Sequence, residues 1–99
     1  MRVPTSEFVT RLKKIKFPAV VDKLVLFGSE VYGSPRVGSD IDLAVVSSTK
    51  LSQEEKHLIE DLIEMCSPPF ECQIVFVTFG EYRQGFDVRK DIFEKGIVI

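Results

Sequence analysis

The sequence contains no tryptophan, one histidine and two cysteines among its 99 residues. With so few thiol and imidazole ligands, a zinc site is not expected. Cys66 and Cys72 lie close together in the sequence, so spacing alone does not exclude a disulfide. No secretory leader is recognisable, and we therefore expect two reduced thiols and a cytoplasmic protein.

The chain also lacks long apolar runs and an excess of basic residues. No stretch is apolar over the length that a membrane-spanning helix needs, so we expect no association with a membrane. The formal net charge is −2, and long nucleic acids are therefore not expected as partners, because binding them normally requires a basic surface. The hydrophobic fraction of 44% is typical of a globular protein, and we expect a single domain over residues 1–99.

Two aspartates, Asp40 and Asp42, flank Ile41 at the start of an apolar run that predicts a buried strand. Residues two apart in a strand share a face, with about 6 to 7 Å between their Cα atoms, so both carboxylates can converge on one cation. Without a cation, two such charges repel by about 2.5 kcal/mol at an effective dielectric near 20. Mg²⁺ removes that repulsion and prefers carboxylate, water and phosphate oxygens. Two acids capping a strand end are the alternative, which so short a pattern alone would favour.

Gly28 and Ser29 follow a second predicted strand, residues 23–27. Because Gly28 has no Cβ, a phosphate can approach the backbone there. Ser29 suits the N-cap of a helix, and the free amide groups at a helix N-terminus bind anions. By themselves these two residues indicate only an ordinary turn. Together with the acid pair, they predict an anion-binding turn beside a metal-binding site.

The spacing of these two motifs resembles a known signature. Gly28-Ser29, ten intervening residues and Asp40-Ile41-Asp42 are similar to the motif of the nucleotidyltransferase superfamily, which includes DNA polymerase beta and the kanamycin nucleotidyltransferases. The short chain is most similar to the minimal nucleotidyltransferase group. The resemblance implies an α/β nucleotidyltransferase fold, with a small mixed β-sheet and helices covering one face. It also implies a helix over residues 52–65, a strand over 71–77 and a last helix over 87–95.

The resemblance further implies magnesium-dependent nucleotidyl transfer, with ATP as the donor. One or two Mg²⁺ ions would be held by Asp40, Asp42 and a third carboxylate, for which Glu71 is the candidate. These three are also the predicted catalytic residues. The predicted phosphate-binding residues are Gly28, Ser29 and Ser39.

The sequence departs from the family pattern at two places. Gln73 stands where many relatives carry the third carboxylate, and Glu71 lies on the same strand face two residues earlier. A solvated residue at the strand edge is an equally good interpretation of Glu71. Glu30 follows Gly-Ser where many relatives have arginine, and Arg36 is the nearest cation that could compensate.

The residues alone do not identify the molecule that accepts the nucleotide. The resemblance implies a HEPN-domain protein as partner, in a toxin–antitoxin pair in which the antitoxin adds AMP to a tyrosine of the toxin. Two alternatives remain. The chain could be a nucleotide-binding module that has lost turnover and neutralises its partner by contact, or a homodimeric enzyme that acts on a small hydroxyl compound.

Capping residues predict where three helices begin. Thr5-Ser6 is expected to cap an amphipathic first helix, Ser52 with Glu55 forms a capping box, and Thr78 with Glu81 repeats that pattern. The predicted buried stripe of the second of these helices consists of Leu58, Ile59, Leu62 and Ile63.

Overall fold

A computed structural model of the chain describes residues 3–27, 41–69, 71–84 and 96–99. Seven elements follow one another in these ranges. They are helix α1 (Val3–Lys13), strands β1 (Val21–Phe27) and β2 (Ile41–Ser47), helix α2 (Gln53–Glu64), strand β3 (Cys72–Thr78), helix α3 (Phe79–Gln84) and strand β4 (Ile97–Val98).

The strands form one sheet in the order β3-β2-β1-β4. Strand β1 is antiparallel to both β2 and β4, whereas β2 and β3 are parallel. A parallel pair needs a crossover connection, and α2 supplies it here. The predicted α/β fold with a small mixed sheet is confirmed. The sequence did not predict β4, which consists of two residues.

Helices α1 and α2 cover one face of the sheet. Alternate strand residues point to this face and pack with the apolar sides of both helices. The buried cluster consists of Phe8, Leu12, Leu24, Leu26, Ile41, Leu43, Val45, Leu51, Ile59, Ile63 and Cys66. We call this side of the sheet the helical face.

The opposite face of the sheet carries the short helix α3. A smaller buried cluster lies there, formed by Val25, Ala44, Val46 and Val77, and Tyr82 of α3 packs against it. The ammonium group of Lys23 on β1 lies 4.8 Å from the centre of the Tyr82 ring, a cation–π contact that ties α3 to the sheet. A helix therefore lies on each side of the sheet, and we call this second side the α3 face.

Two of the three predicted helix starts are confirmed. The amide of Ser52 donates to Glu55 Oε1 over 2.9 Å, and the amide of Glu55 donates to Ser52 Oγ over 3.2 Å, which completes the capping box. At α3 the amide of Glu81 donates to Thr78 Oγ1 and the amide of Thr78 donates to Glu81 Oε1, both over 3.2 Å. These caps satisfy amide groups that a helix N-terminus leaves without intrahelical partners.

The predicted cap of α1 was wrong. Thr5 and Ser6 do not cap α1, because the helix already begins at Val3. Pro4 suits the first turn of the helix, where its missing N–H is not needed.

The predicted buried stripe of α2 was wrong at one residue. Leu58 is 49% exposed, whereas Ile59 and Ile63 are fully buried. Leu58 is rotated by about 100° from Ile59 around the helix axis, and the buried stripe is narrow enough to leave it outside.

The C-terminal end of α2 is held by a side chain from α1. Arg11 Nε donates to the carbonyl oxygen of Cys66 over 2.6 Å, and its Nη2 donates to that of Ser67 over 3.1 Å. Ser67 has a φ of 51°, which is the left-handed conformation that commonly ends helices. Arg11 therefore ties the C-terminal end of α2 to α1.

Among the described residues, no helix has the length and apolar character needed to cross a membrane. Neither Cys66 nor Cys72 forms a disulfide, as expected.

Candidate functional site

Three strands bring their ends together at one edge of the sheet. Because β1 is antiparallel to β2, and β2 is parallel to β3, the last residues of β1 lie beside the first residues of β2 and β3. Asp42 pairs with Phe27 on one side and with Gln73 on the other. A row of three side chains therefore crosses this end of the sheet, and Asp42 is in the middle.

This row lies on the α3 face. Its neighbours on the same strands, Ile41 and Cys72, point to the helical face, where Ile41 is fully buried. The alternation of a strand then directs Asp42 and Gln73 to the opposite side. Asp42 is half-buried and Gln73 is exposed, so the carboxylate lies on a surface that a ligand can reach.

Phe27 is the last residue of β1 and precedes Gly28 directly in the sequence. The strand therefore ends where the apolar run predicted that it would, in the same row as Asp42. The predicted residues Gly28, Ser29, Ser39 and Asp40 lie outside the described residues, so their roles remain predictions. Glu30 and Arg36 lie outside them as well.

Glu71 lies immediately before β3 and is exposed. Its backbone carbonyl accepts a hydrogen bond of 2.8 Å from the amide of Ile41. This bond joins the starts of β2 and β3 and places Glu71 at the same end of the sheet as Asp42. The proposed metal-binding role of its side chain stays a prediction.

The oxygen donors at this end suit magnesium. Carboxylate and carboxamide oxygens are hard ligands of the kind that Mg²⁺ prefers, whereas thiolate and imidazole favour other metals. In the described ranges no three His, Cys, Asp or Glu side chains come close enough to form a metal site. The described residues at this end of the sheet thus supply one carboxylate, that of Asp42, with the carboxamide of Gln73 beside it.

The negative charge of Asp42 affects a neighbouring thiol. Burial, with smaller contributions from the carboxylates of Glu64 and Asp42, raises the pKa of Cys72 to about 12. Burial also raises the pKa of Cys66, and the nearby Arg11 partly opposes this. Both cysteines are therefore neutral thiols near pH 7, and neither has the depressed pKa of a nucleophilic cysteine.

A cavity of about 340 Å³ lies at the opposite end of the sheet, where β2 and β3 finish. It is lined by Ser47, Lys50, Leu51, Lys56, Phe76, Val77, Thr78 and Glu81. Several of its polar groups already bond within the chain: Ser47 Oγ donates to the carbonyl oxygen of Thr49 over 2.6 Å, and Thr78 Oγ1 donates to Glu81 Oε1 over 2.9 Å. We do not assign the reaction to this cavity, because it lies at the other end of β2 from Asp42.

The sequence did not predict that Gln73 lies beside Asp42. The apolar run after Gln73 predicted β3, but the alignment of Gln73 with Asp42 depends on how β2 and β3 pair. Strand register is set by tertiary contacts, and a pattern within one strand does not contain it.

The chain matches a known protein family over most of its length. Residues 11–99 match the family described as polymerase beta, nucleotidyltransferase. A comparison with curated proteins gave no match. The family match includes β1, β2 and β3, and therefore every predicted site residue.

Proposed function

The chain belongs to the polymerase beta nucleotidyltransferase family, and we propose that it transfers AMP from ATP to a hydroxyl group of a partner protein in a magnesium-dependent reaction. The family match supports nucleotidyl transfer in general. The use of ATP, the dependence on magnesium and the protein acceptor are proposals that go beyond the family match.

The observation that carries the proposal is the position of Asp42. This residue lies at the start of β2, beside the last residue of β1, from which the chain continues directly into Gly28-Ser29. Asp42 therefore lies beside the residue that directly precedes the predicted phosphate-binding motif. A carboxylate next to a phosphate-binding turn is the combination of groups that a metal-bound triphosphate needs.

We assign the following roles. Gly28, Ser29 and Ser39 bind the phosphates, while Asp40, Asp42 and Glu71 hold Mg²⁺. When bound, Mg²⁺ neutralises charge on the phosphates and on the leaving group.

In the transfer itself, the acceptor oxygen forms a bond to the α-phosphorus. The bond from that phosphorus to the oxygen bridging to the β-phosphate breaks, and pyrophosphate leaves with the electron pair. Glu71 takes the proton of the hydroxyl group. General base catalysis of this kind contributes about 10² to 10⁴ in rate.

We propose a HEPN-domain protein as the acceptor, on the strength of the resemblance to minimal nucleotidyltransferases. The test uses two preparations of ATP, one labelled in the α-phosphate and one in the γ-phosphate, each incubated with the chain, Mg²⁺ and a HEPN-domain protein from the same organism. We expect the α label alone to appear on the partner. Transfer of the γ label would instead identify a kinase.

Matched variants make this test specific. Asp42→Asn should abolish labelling, whereas Asp22→Asn should not, because Asp22 is exposed and lies near the opposite end of β1. Folded protein that labels no partner, and transfers no nucleotide to small hydroxyl compounds, would contradict the proposal.

A second candidate function is a binding module without turnover. It is favoured by one observation: an uncharged residue, Gln73, occupies the β3 position beside Asp42. In that case the Asp42→Asn variant should still bind and neutralise the partner as well as the wild type does. Loss of neutralisation with retained binding would favour the enzyme.

A further inference from the structure

We infer that strand β3 binds the acceptor protein by pairing with an extended segment of that protein, which becomes a fifth strand of the sheet. The contact is made by the side of β3 that faces away from β2, which we call the outer edge of β3. The inference rests on the proposed function, because it states how the protein acceptor of that reaction is held.

The first step is the position of β3 in the sheet. The strand order is β3-β2-β1-β4, and no strand in the described ranges pairs with the outer edge of β3. An edge strand presents a row of main-chain N–H and C=O groups with which another chain can pair. Strand β4, at the other side of the sheet, has two residues, whereas β3 has seven. The outer edge of β3 is therefore the longer row of the two.

The second step identifies the main-chain groups that face outward. Glu71 directs its carbonyl group towards β2, because that group accepts a hydrogen bond from the amide of Ile41. In a parallel pair every second residue of a strand bonds to the same neighbour. The residues between them direct their main-chain groups to the outer edge, and these are Cys72, Ile74, Phe76 and Thr78. Thr78 confirms the alternation, since its amide donates to Glu81 Oε1 of α3 over 3.2 Å.

The third step is the composition of β3. Edge strands that stay unpaired usually carry lysine, proline or a bulge, which prevents association with another chain. The seven residues of β3 include no charged residue and no proline. The strand also pairs with β2 in one continuous register, so no bulge turns it away from a partner. Strand β3 thus lacks these protections and is suited to strand addition.

The fourth step is the occupant of the outer edge. A fifth strand continues the row of Phe27, Asp42 and Gln73, and its residue beside Gln73 lies two strand spacings, or about 10 Å, from Asp42. This distance leaves room for a metal-bound phosphate between that residue and Asp42. The reaction needs a hydroxyl group there. If β3 paired antiparallel with a second copy of itself about its central residue, Val77 would take that position. The occupant is therefore an uncharged, extended segment of the acceptor protein that carries a hydroxyl residue.

The first test compares two substitutions at one position of the outer edge. Ile74→Pro and Ile74→Ala both remove a half-buried side chain, but only proline removes the outward N–H, and neither removes a hydrogen bond to β2. Labelling from ATP is measured at increasing concentrations of the HEPN-domain protein. We expect the KM for this protein to be about tenfold higher for Ile74→Pro than for Ile74→Ala, because one main-chain hydrogen bond is lost and its acceptor is left unpaired. Both variants should bind ATP equally well.

The second test uses the wild-type chain and decides the matter if Ile74→Pro does not fold. Amide hydrogen exchange is followed by nuclear magnetic resonance. In the chain alone, the outward amides of Ile74 and Phe76 should exchange faster than those of Val75 and Val77, which bond to β2. Addition of the HEPN-domain protein should slow exchange at Ile74 and Phe76 by about tenfold or more.

The inference is overturned if Ile74→Pro and Ile74→Ala fold and have the same KM, or if the HEPN-domain protein leaves exchange at Ile74 and Phe76 unchanged. It is also overturned if a higher concentration of the chain alone protects these amides, because a second copy then occupies the outer edge. A failure of the proposed function looks different: the wild type then labels no partner protein at any concentration, and the inference falls with it.

Discussion

Replacing Arg11 by alanine should destabilise the protein through the end of α2. The guanidinium group of Arg11 donates to two carbonyl oxygens, those of Cys66 and Ser67, over 2.6 and 3.1 Å. These carbonyls lie at the negative end of the α2 dipole, where a cation is favourable. Arg11→Ala therefore removes two hydrogen bonds that a charged group donates. It also removes a positive charge that stabilises the C-terminal end of α2.

The size of the effect follows from the exposure of the two bonds. The bond to Cys66 is partly buried, and a hydrogen bond to a charged group in such a position contributes about 1.5 kcal/mol or slightly more. The bond to Ser67 is exposed and contributes about 0.5 kcal/mol after screening by solvent. We expect Arg11→Ala to lower the free energy of unfolding by about 2 kcal/mol, which lowers Tm by roughly 10 °C in a domain of this size.

Urea denaturation followed by circular dichroism measures this change. Arg11→Lys should lower the free energy of unfolding by about half as much as Arg11→Ala does. Lysine keeps the positive charge but lacks the planar guanidinium group that reaches both carbonyl oxygens. Lys13→Ala, at an exposed position in the last turn of α1, should change stability by less than about 0.5 kcal/mol. If Arg11→Ala is no more destabilising than Lys13→Ala, the reasoning about the end of α2 is refuted.

Three further predictions concern local structure. Ser67→Gly should raise the free energy of unfolding by about 0.5 to 1 kcal/mol because the φ of 51° strains a residue with a Cβ, whereas Ser6→Gly within α1 should lower it; the urea midpoints of both variants provide the check. Ser52→Ala should cost about 1 kcal/mol through loss of the capping box, and an unchanged midpoint would show that this cap contributes nothing. Burial raises the pKa of Cys72 to about 12, so alkylation of Cys72 by iodoacetamide in the folded protein should be slow at pH 8, and its rate should still be rising at pH 10. Mass spectrometry measures the alkylated fraction, and rapid alkylation at pH 8 would contradict this prediction.

The sequence predicted the strands of the site well because each contains a run of at least four apolar residues next to polar ones. Strand β2 begins at Ile41, between the two aspartates of the motif, and β1 ends at Phe27, before Gly28-Ser29. Local signals were sufficient there. The capping boxes at Ser52 and Thr78 are local in the same sense, since their hydrogen bonds join residues three apart.

Features that depend on tertiary pairing were not predictable in this way. Strand β4 has only two residues and exists through its pairing with Val25 and Leu26 of β1, so no pattern within it distinguishes it from an apolar loop. The alignment of Gln73 with Asp42 likewise depends on the β2–β3 register. The side of the sheet that α3 occupies follows from the packing of Tyr82, which a six-residue helix does not reveal in its sequence.

The most direct test of the central claim is the affinity for ATP in the presence of Mg²⁺, measured by isothermal titration calorimetry for the wild type, Asp42→Asn and Asp22→Asn. If Asp42 helps to hold a metal-bound triphosphate, the Asp42→Asn variant should bind ATP about tenfold more weakly or worse, because a charged contact of this kind contributes about 1.5 to 3 kcal/mol. The Asp22→Asn variant should bind ATP as the wild type does. Equal affinity for all three folded proteins would contradict the assignment of the site to this end of the sheet.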